Sequence, residues 1–420
     1  MNRFAHAAQA VKHIDTSVHA VCRSIDDKRF GVLHPMRRLS VEMFREIFRH
    51  AVDDEYNGLI DQLSSAGVPD QKHLPTAAFT IAATCQSWRN IATAMPKLWQ
   101  YICAPWTAKV QLNGRSVHAT VGNARFKRCL ALAGNTDLEL TVRGPEHSSW
   151  KPILSQKGAR KWSQINVVDP YNLPARFPCA LRVWVCSTNK PKSGINLPTA
   201  ALSSTYYLLC TSCFPRITTP IPGLHELDIR LPIGQIRCPS LSALLALMPA
   251  LENLALECDH AVISSWVEDR TPRSHQSLRS LRIMTGFVLY LTSEFQFLTL
   301  PSLNNLEILD MDTSLSTESV TRMFAGPISI ANTVTSLSIR CTESKSVGEH
   351  IRRFIGGLPK LTSLTLEQFA VVPGLGALLG TKTPDKLHNI RVREYKEGEK
   401  VDELINRLHS TSPGLRCSPQ

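Results

Sequence analysis

The strongest constraint on this chain is an apolar frame that recurs at nearly constant intervals through its C-terminal half. Each copy places three apolar residues at its first, fourth and sixth positions. The seven copies start at Leu224, Leu251, Leu278, Leu306, Val334, Leu361 and Leu387, which are 27, 27, 28, 28, 27 and 26 residues apart. A period of about 20–29 residues is produced by stacked units that each contribute a strand and a return segment. The sequence therefore predicts a repeat architecture.

Earlier copies of the frame are less regular: Leu138-x-Leu140-x-Val142, Trp162-x-x-Ile165-x-Val167 and Leu181-x-x-Trp184. The predicted repeat region spans residues 125–412. Segments with helical spacing precede several frames, at 241–248, 318–324 and 348–355, so we expect helices to return the chain between strands. The predicted fold class is α/β, a solenoid with a parallel sheet on its concave face. The alternative, a leucine-rich globular α/β domain, would have to produce six near-equal intervals without repeated units.

The frames resemble leucine-rich repeats, in which asparagine or cysteine usually lies three residues after the last frame position. That position holds Pro232, Asp259, Gly286, Ser314, Thr342, Phe369 and Tyr395 here. A regular ladder of buried asparagines is therefore not expected. The curvature of the solenoid should be irregular as a consequence.

The N-terminal part of the chain has helical rather than repeat spacing. A helix is predicted to begin at Ser40, whose hydroxyl can cap it. Its apolar residues form two adjacent stripes, Met43, Ile47 and Ala51 on one and Phe44 and Phe48 on the other. Residues 53–75, with Asn57-Gly58 and Pro69-Asp70, are predicted to be an acidic, turn-rich loop. Helical spacing resumes at Thr76 and continues to Pro96, and a leader helix of uncertain role is predicted within residues 1–34.

Two motifs in this region, Leu39-Ser-Val-Glu-Met43 with Ile47-Phe48, and Cys85-x-x-Trp88-Arg89-x-Ile91-Ala92-x-x-x-Pro96-x-Leu98-Trp99, occur together. Over residues 36–102 they resemble the F-box-like domain common in fungal proteins. The chain departs from that family at Ser40, where proline is usual, and at Met43, where isoleucine or leucine is usual. Its loop at 53–75 is also longer than that of the family.

This resemblance implies a three-helix module that docks onto the Skp adaptor of a cullin-based ubiquitin ligase, the SCF complex. The implied contact and supporting residues are Leu39, Met43, Ile47, Phe48, Ile81, Cys85 and Trp88. For Trp88 and Leu98, packing inside the module and contact with the partner are both open. The implied role of the chain is to bring an unidentified protein substrate to the ligase.

Substrate recognition is predicted on the concave strands, because alternation sends the frame residues inward and the residues between them outward. Met284 and Ile308 are predicted to be exposed apolar anchors on neighbouring repeats. The predicted substrate-binding set adds the charged residues around them and comprises Arg282, Met284, Ile308, Asp310 and Arg340. The alternative is an ordinary solvated sheet face, with recognition by loops.

The net charge of +12 would attract acidic surfaces, nucleic acid included. The basic residues occur as scattered pairs, such as Arg37-Arg38 and Arg352-Arg353, with no aromatic residues interleaved. This distribution favours a solvated basic surface and argues against nucleic-acid binding. A basic nucleic-acid-associated protein, and a scaffold that uses the adaptor without ubiquitination, are the alternatives to a ligase receptor.

Cysteine usage and hydropathy predict a cytoplasmic or nuclear protein. The 12 cysteines have no disulfide-domain spacing, no Asn-x-Ser/Thr sequon occurs, and the first thirty residues lack a secretory apolar core. The most apolar window, 241–256, contains Pro249 and Glu252, so no membrane-spanning segment is expected.

Motifs for catalysis and cofactors are weak or absent in this sequence. Cys210-Thr-Ser-Cys213 lacks the second ligand pair of a zinc site, and Gly374-Leu-Gly376-Ala-Leu-Leu-Gly380 has the wrong spacing for a dinucleotide loop. No nucleophile elbow, zinc-protease helix or phosphate-binding loop occurs. The sequence therefore predicts no enzymatic activity, no cofactor and no bound metal.

Overall fold

The structure, a computed structural model, describes the greater part of the chain. The described residues are 16–21, 23–24, 39–64, 76–103, 106–112, 115–121, 123–143, 162–168, 180–186, 195–197, 202, 205–211, 215–231, 236–238, 240–258, 263–266, 272–284, 287, 297–310, 330–341, 348–379, 385–394, 398–412 and 414–419. Residues 16–21, in the predicted leader, are helical with Val18 and Val21 exposed, and most of residues 1–34 lies outside the described residues.

The N-terminal part of the chain is helical, and strands predominate after it, with helices between some of them. The elements in chain order are α1 (Val41–Ser64), α2 (Ala77–Thr84), α3 (Gln86–Thr93), a 3-10 helix (Pro96–Trp99), β1 (Tyr101–Cys103), β2 (Trp106–Leu112), β3 (Arg115–Val121), α4 (Asn123–Ala133), β4 (Leu138–Arg143), β5 (Trp162–Val168), β6 (Ala180–Cys186), β7 (Ile195–Asn196), β8 (Tyr207–Thr211), β9 (Pro215–Arg216), β10 (Glu226–Leu231), β11 (Ile236–Cys238), α5 (Leu241–Ala246), β12 (Asn253–Cys258), β13 (Ile263–Trp266), β14 (Arg273–Ser274), β15 (Ser280–Met284), β16 (Leu298–Thr299), β17 (Asn305–Leu309), a second 3-10 helix (Ile330–Asn332), β18 (Ser336–Cys341), α6 (Gly348–Gly356), β19 (Ser363–Gln368), α7 (Val371–Leu379), β20 (Asn389–Arg393), α8 (Gly398–Thr411) and β21 (Arg416–Pro419).

One large parallel sheet organises the molecule. Its thirteen strands run in the order β1-β4-β5-β6-β8-β10-β12-β15-β17-β18-β19-β20-β21, so each strand pairs with its neighbours in the chain apart from short excursions. The prediction of an α/β chain built on a parallel sheet is confirmed. The sheet begins before residue 125 and ends after residue 412, so it is longer at both ends than the predicted repeat region.

The frame residues form the core because the register aligns them from strand to strand. Leu227, Leu254 and Leu281 pair in succession and are each at most 2% exposed. The frame predicted at Leu306 is wrong by three residues. Leu281 pairs with Leu306 and Ile283 with Ile308, so this frame starts at Leu303, and the flanking intervals become 25 and 31 residues.

The return segments are more varied than the sequence predicts. Helices α5 and α6 lie where helical spacing was predicted, whereas 318–324 lies outside the described residues. Short strand pairs β7–β9, β11–β13 and β14–β16 form separate two-stranded sheets elsewhere. The glycine-rich motif forms helix α7, and Gly374 allows a close approach to the sheet, since a Cβ atom there would lie 2.7 Å from Leu366. This motif is therefore part of the repeat packing.

The N-terminal helices α1, α2 and α3 pack around aromatic side chains. The ring of Trp88 lies 5.7 Å from Phe44 and 5.0 Å from Phe48. The 3-10 helix closes this core, because Trp99 is fully buried and its Nε1 donates to the Ala92 carbonyl at 2.9 Å. Leu98 is also buried, so it fills the module and does not face a partner.

The loop predicted at 53–75 is wrong for residues 53–64, which continue helix α1; residues 65–75 lie outside the described residues. Tertiary contacts override the Asn57-Gly58 turn signal here. Tyr56 and Leu59 are each 3% exposed because this end of the helix packs against the sheet. The helix gains more from burying these side chains than it loses through a glycine in its interior.

Candidate protein-binding surfaces

The first candidate surface, which we call the docking face, is the exposed apolar start of helix α1. Val41, Met43 and Ile47 are 44%, 51% and 40% exposed. Leu39 is half-buried at the edge of this surface. Met43 and Ile47 lie one helical turn apart on the same stripe, whereas Val41, two residues before Met43, points to another side of the helix. The Met43–Ile47 stripe is therefore a candidate surface for contact with another protein.

The other residues predicted to bind the Skp adaptor have different positions. Phe48 and Ile81 are buried in the module, so they can support the docking face but cannot contact a partner directly. Trp88 is half-buried against the two phenylalanines, and Cys85 is exposed. Cys85 also caps helix α3, since its Sγ accepts from the backbone N–H of Trp88 at 3.5 Å.

Helix α1 fixes the start of helix α2 through a carboxylate. Glu55 accepts hydrogen bonds from the backbone N–H groups of Thr76 and Ala77 at 2.7–2.9 Å. A negative charge at a helix N-terminus is favourable, because the first amides of a helix lack partners within it. The module therefore holds its helices by polar contacts as well as by its aromatic core.

The second half of helix α1 lies on the sheet face opposite the frame residues. Leu59 packs with Val168, Trp184 and Cys186 in a small buried cluster separate from the main core. These three residues come from β5 and β6 and lie on the face opposite the main core. The frame predicted at Leu181-x-x-Trp184 is therefore wrong, because Val183 and Val185 take the inward positions and Leu181 is 61% exposed. The helix therefore covers the first strands of the face that was predicted to be open.

A buried polar network joins helix α1 to the same strands. The amide of Asn166 donates to the Tyr56 hydroxyl at 2.7 Å and to the Thr141 hydroxyl at 3.1 Å. The Tyr56 ring stacks on Tyr101 at 4.0 Å, and the Tyr101 hydroxyl donates to Asp53 at 2.8 Å. Burial, and then the bond to Asp53, raise the pKa of Tyr101. We call this network, with the Leu59 cluster, the helix–sheet junction.

The second candidate surface is the part of this sheet face that helix α1 leaves open, and we call it the open concave surface after the predicted solenoid. From β10 to β17 it carries a chain of alternating charges. Arg230 contacts Asp228 at 2.8 Å and Glu257 at 3.6 Å. Arg282 contacts Glu257 at 3.7 Å and Glu307 at 2.7 Å. Burial raises the pKa of the Glu257 carboxyl, against the attraction of the arginines.

The five residues predicted to bind the substrate are only partly brought together. Ile308 is fully buried, so the prediction that it is an exposed anchor is wrong; the shifted frame makes it a core residue. Met284 and Arg282 are half-buried on β15. Asp310 follows β17 with a φ of 55°, and Arg340 lies on β18. Arg282 is held by two carboxylates, which leaves it less available than predicted.

Several residues on this face were missed by the sequence analysis as functional candidates. Glu307 replaces Ile308 as the outward residue of β17, and the correct frame would have identified it. The covering residues Tyr56 and Leu59 had no comparable signal. Their role depends on a contact between segments about a hundred residues apart, as the bond from Asn166 to Tyr56 shows.

In the described part of the chain, no three His, Cys, Asp or Glu side chains lie close enough together to hold a metal ion. Cys210 is fully buried in β8, and Cys213 lies outside the described residues. No helix within the described ranges combines the length and the apolar character needed to cross a bilayer.

Comparison with models of known protein families finds no match, and comparison with curated proteins finds no significant one.

Proposed function

We propose that this chain is a non-catalytic substrate-recognition adaptor of an SCF-type ubiquitin ligase. The docking face would bind the Skp adaptor, and the open concave surface would bind a protein substrate. The observation that carries the proposal is the exposure of Met43 and Ile47, one turn apart on helix α1. These residues fall where the F-box-like motif has its partner contacts, and they sit on a module built from the motif's other residues.

The course of helix α1 supports an adaptor role. Its first turns carry the docking face, and Tyr56 and Leu59 in its second half are buried in the helix–sheet junction. The helix that carries the docking face is thus fixed to the sheet that carries the open surface, so a substrate on the sheet would keep a fixed position relative to a partner on the docking face. An adaptor that orients its substrate gains from such rigidity, because fewer conformations are lost on assembly.

The first test is a pull-down of the full chain with the Skp adaptor. Met43→Asp with Ile47→Asp would place two charges on an apolar contact surface, and binding should weaken at least about 100-fold. The matched control is Asn57→Asp, which adds a charge at an exposed position of the same helix. Circular dichroism of each variant would show that it is folded.

Normal adaptor binding by the folded double variant would contradict the proposal. The scaffold alternative is tested separately by blocking the proteasome and measuring the abundance of captured partner proteins. A ligase receptor predicts that the substrate accumulates, whereas a scaffold predicts no change.

A further inference from the structure

The charges on the open concave surface change character along the sheet. From β10 to β17 each arginine of the outward rows has a carboxylate within 4 Å. From β18 to β21 the arginines outnumber the acids. Arg393 contacts Glu367 at 3.5 Å, and Gln368 donates to Glu394 at 3.2 Å, so both acids of this part are already engaged.

Three arginines of this part, Arg340, Arg391 and Arg416, have no ion pair with any described residue. Arg391 and Arg416 are exposed. The Nε of Arg340 is buried and lacks a hydrogen-bond partner among the described residues. Its partner across the strands, Glu367, already contacts Arg393, and Glu257, on which its charge also acts, already contacts two other arginines. We call these three residues the arginine diagonal.

The register explains why the three arginines form a diagonal. A row here is a set of outward residues that pair across successive strands, and Arg340 on β18 lies in the row of Glu367 and Arg393. Arg391 on β20 lies one row nearer the N-terminal ends of the strands. Arg416 on β21 lies one row further in the same direction, paired with Asn389. With strands about 4.8 Å apart and rows about 6.6 Å apart, the Cα atoms of successive arginines are about 8–12 Å apart. An extended chain covers that distance in about two to four residues.

The sheet surface between the three arginines carries short, polar side chains. Ser338 and Thr365 are neighbours on adjacent strands in the row of Arg391, and Ser336 and Ser363 are neighbours in the row of Arg416. All four are half-buried and short. A peptide backbone could therefore lie across these strands without clashing with large side chains, with hydroxyl groups available to it.

We infer that the arginine diagonal binds an extended, acidic segment of a partner protein, with Asp or Glu spaced two to four residues apart. The charge complementarity selects the occupant, because guanidinium groups without partners favour carboxylates with which they can form paired hydrogen bonds. The inference deepens the proposed function by naming the class of substrate, and it rests on that proposal only for the role of the bound protein.

The test is fluorescence anisotropy with the purified full chain and a labelled peptide of about 12 residues that has Asp at every third position. A peptide with Asn in place of Asp has the same shape without the charge. We expect the Asp peptide to bind at least about tenfold more tightly, and the difference to shrink as salt is raised. No adaptor is needed, so a failure here is distinct from a failure of docking.

The variant Arg340→Gln, Arg391→Gln, Arg416→Gln should lose at least about tenfold in affinity for the Asp peptide. The charge-matched control is Lys97→Gln, Lys127→Gln, Lys360→Gln, which removes the same charge from exposed positions outside the sheet. A control that lost as much affinity as the arginine variant would overturn the inference. Equal binding of the Asp and Asn peptides would also overturn it.

Two further probes decide what kind of anion is recognised. A peptide with phosphoserine in place of Asp that bound more than about tenfold more tightly would overturn the commitment to carboxylates. Single-stranded RNA that bound more tightly than the Asp peptide, and was lost in the arginine variant, would identify a nucleic-acid surface instead. Weaker binding of both probes would support the inference.

Discussion

The two ends of the outward sheet face have the same parallel strand pairing and opposite surroundings. On β5 and β6 the middle outward row holds Asn166 and Trp184, which are at most 3% exposed beneath helix α1. On β18 and β20 the same row holds Ser338 and Arg391, which face solvent. Parallel pairing continues through both ends. The repeat therefore fixes where side chains point, and the identity of the outward row decides whether the face is a packing or a binding surface.

Because of this difference, the two ends of the sheet have different roles. The covered end fixes the N-terminal module, because its outward residues are large, apolar or amide-bearing and make complementary contacts with helix α1. The open end carries charged and short polar side chains that make few contacts with their own chain. Breaking the covered end should therefore cost stability, whereas changes at the open end should mainly affect binding.

The largest expected effect comes from Leu59→Ala, which removes the apolar side chain that helix α1 inserts against the sheet. Leu59 is 3% exposed and packs with Val168, Trp184 and Cys186. Truncating a buried leucine costs about 2–5 kcal/mol, because apolar contacts are lost and a cavity remains. Urea denaturation followed by circular dichroism would measure the loss in the free energy of unfolding.

The control for this variant is Asn57→Ala, two residues earlier on the same helix and exposed. It should change the free energy of unfolding by no more than about 0.5 kcal/mol. Equal stabilities of the Leu59→Ala and Asn57→Ala variants would mean that the helix does not bind the sheet in this way, and the contrast between the two ends would be lost.

The apolar frames show which features of this fold can be predicted from the sequence alone. The period, the parallel sheet and the inward residues of six frames follow from the spacing of apolar residues. The fourth frame failed because Leu303, Leu306, Ile308 and Leu309 satisfy two overlapping patterns, and only pairing with Leu281 selects one. Periodicity cannot choose between such patterns when an interval departs from the average.

The candidate surfaces were less predictable than the sheet. The docking face could be located because Met43 and Ile47 share a helical stripe. Helix α1 was predicted to stop before Asp53, because Asn57-Gly58 is a strong local turn signal. Its continuation depends on contacts of Tyr56 and Leu59 with strands far along the chain. The arginine diagonal depends on which arginines lack acids across strands, and this cannot be determined without the register.

An intermediate effect is expected at β10, the strand next to the covered end. Asp228 has a side chain only 9% exposed, and Arg230 is its partner at 2.8 Å. Arg230→Met would leave this carboxylate without its counter-charge. Removing one partner of a fully buried pair costs about 3–5 kcal/mol, and because Arg230 is half exposed we expect about 1–2 kcal/mol here. Urea denaturation would measure it.

Two further variants test whether the loss comes from the unpaired Asp228 carboxylate. Arg279→Met removes an exposed contact with Glu252 at 4.0 Å, and it should cost no more than about 0.5 kcal/mol. Adding Asp228→Asn to Arg230→Met should recover part of the loss, because the buried charge is then absent. A double variant no more stable than Arg230→Met alone would show that Arg230 acts through packing of its side chain.

The smallest expected effect concerns a carboxyl group beneath the covering helix. Burial raises the pKa of Glu139, although a hydrogen bond from Tyr56 and the charge of Arg182 oppose this. A raised pKa in the folded state means that folding favours the protonated carboxyl. The stability from this preference is fully present below the unfolded pKa, about 4.3, and is lost as the pH rises through the folded pKa.

Glu139→Gln should therefore be more stable than the wild type at neutral pH, by no more than about 1 kcal/mol because the group is partly solvated. The advantage should disappear on acidification through the pKa range of the carboxyl, where the wild-type side chain is also uncharged. Glu226→Gln is the matched control, because Glu226 lies in the same outward row but on a strand that the helix does not cover. A substitution away from the helix–sheet junction should change the free energy of unfolding by no more than about 0.5 kcal/mol. The test is to measure the free energy of unfolding of the wild type and of both variants from pH 7 down to the pH at which the protein unfolds. If Glu139→Gln were less stable than the wild type at neutral pH, attraction to Tyr56 and Arg182 would outweigh burial, and the covered end would be held by charge as well as by packing.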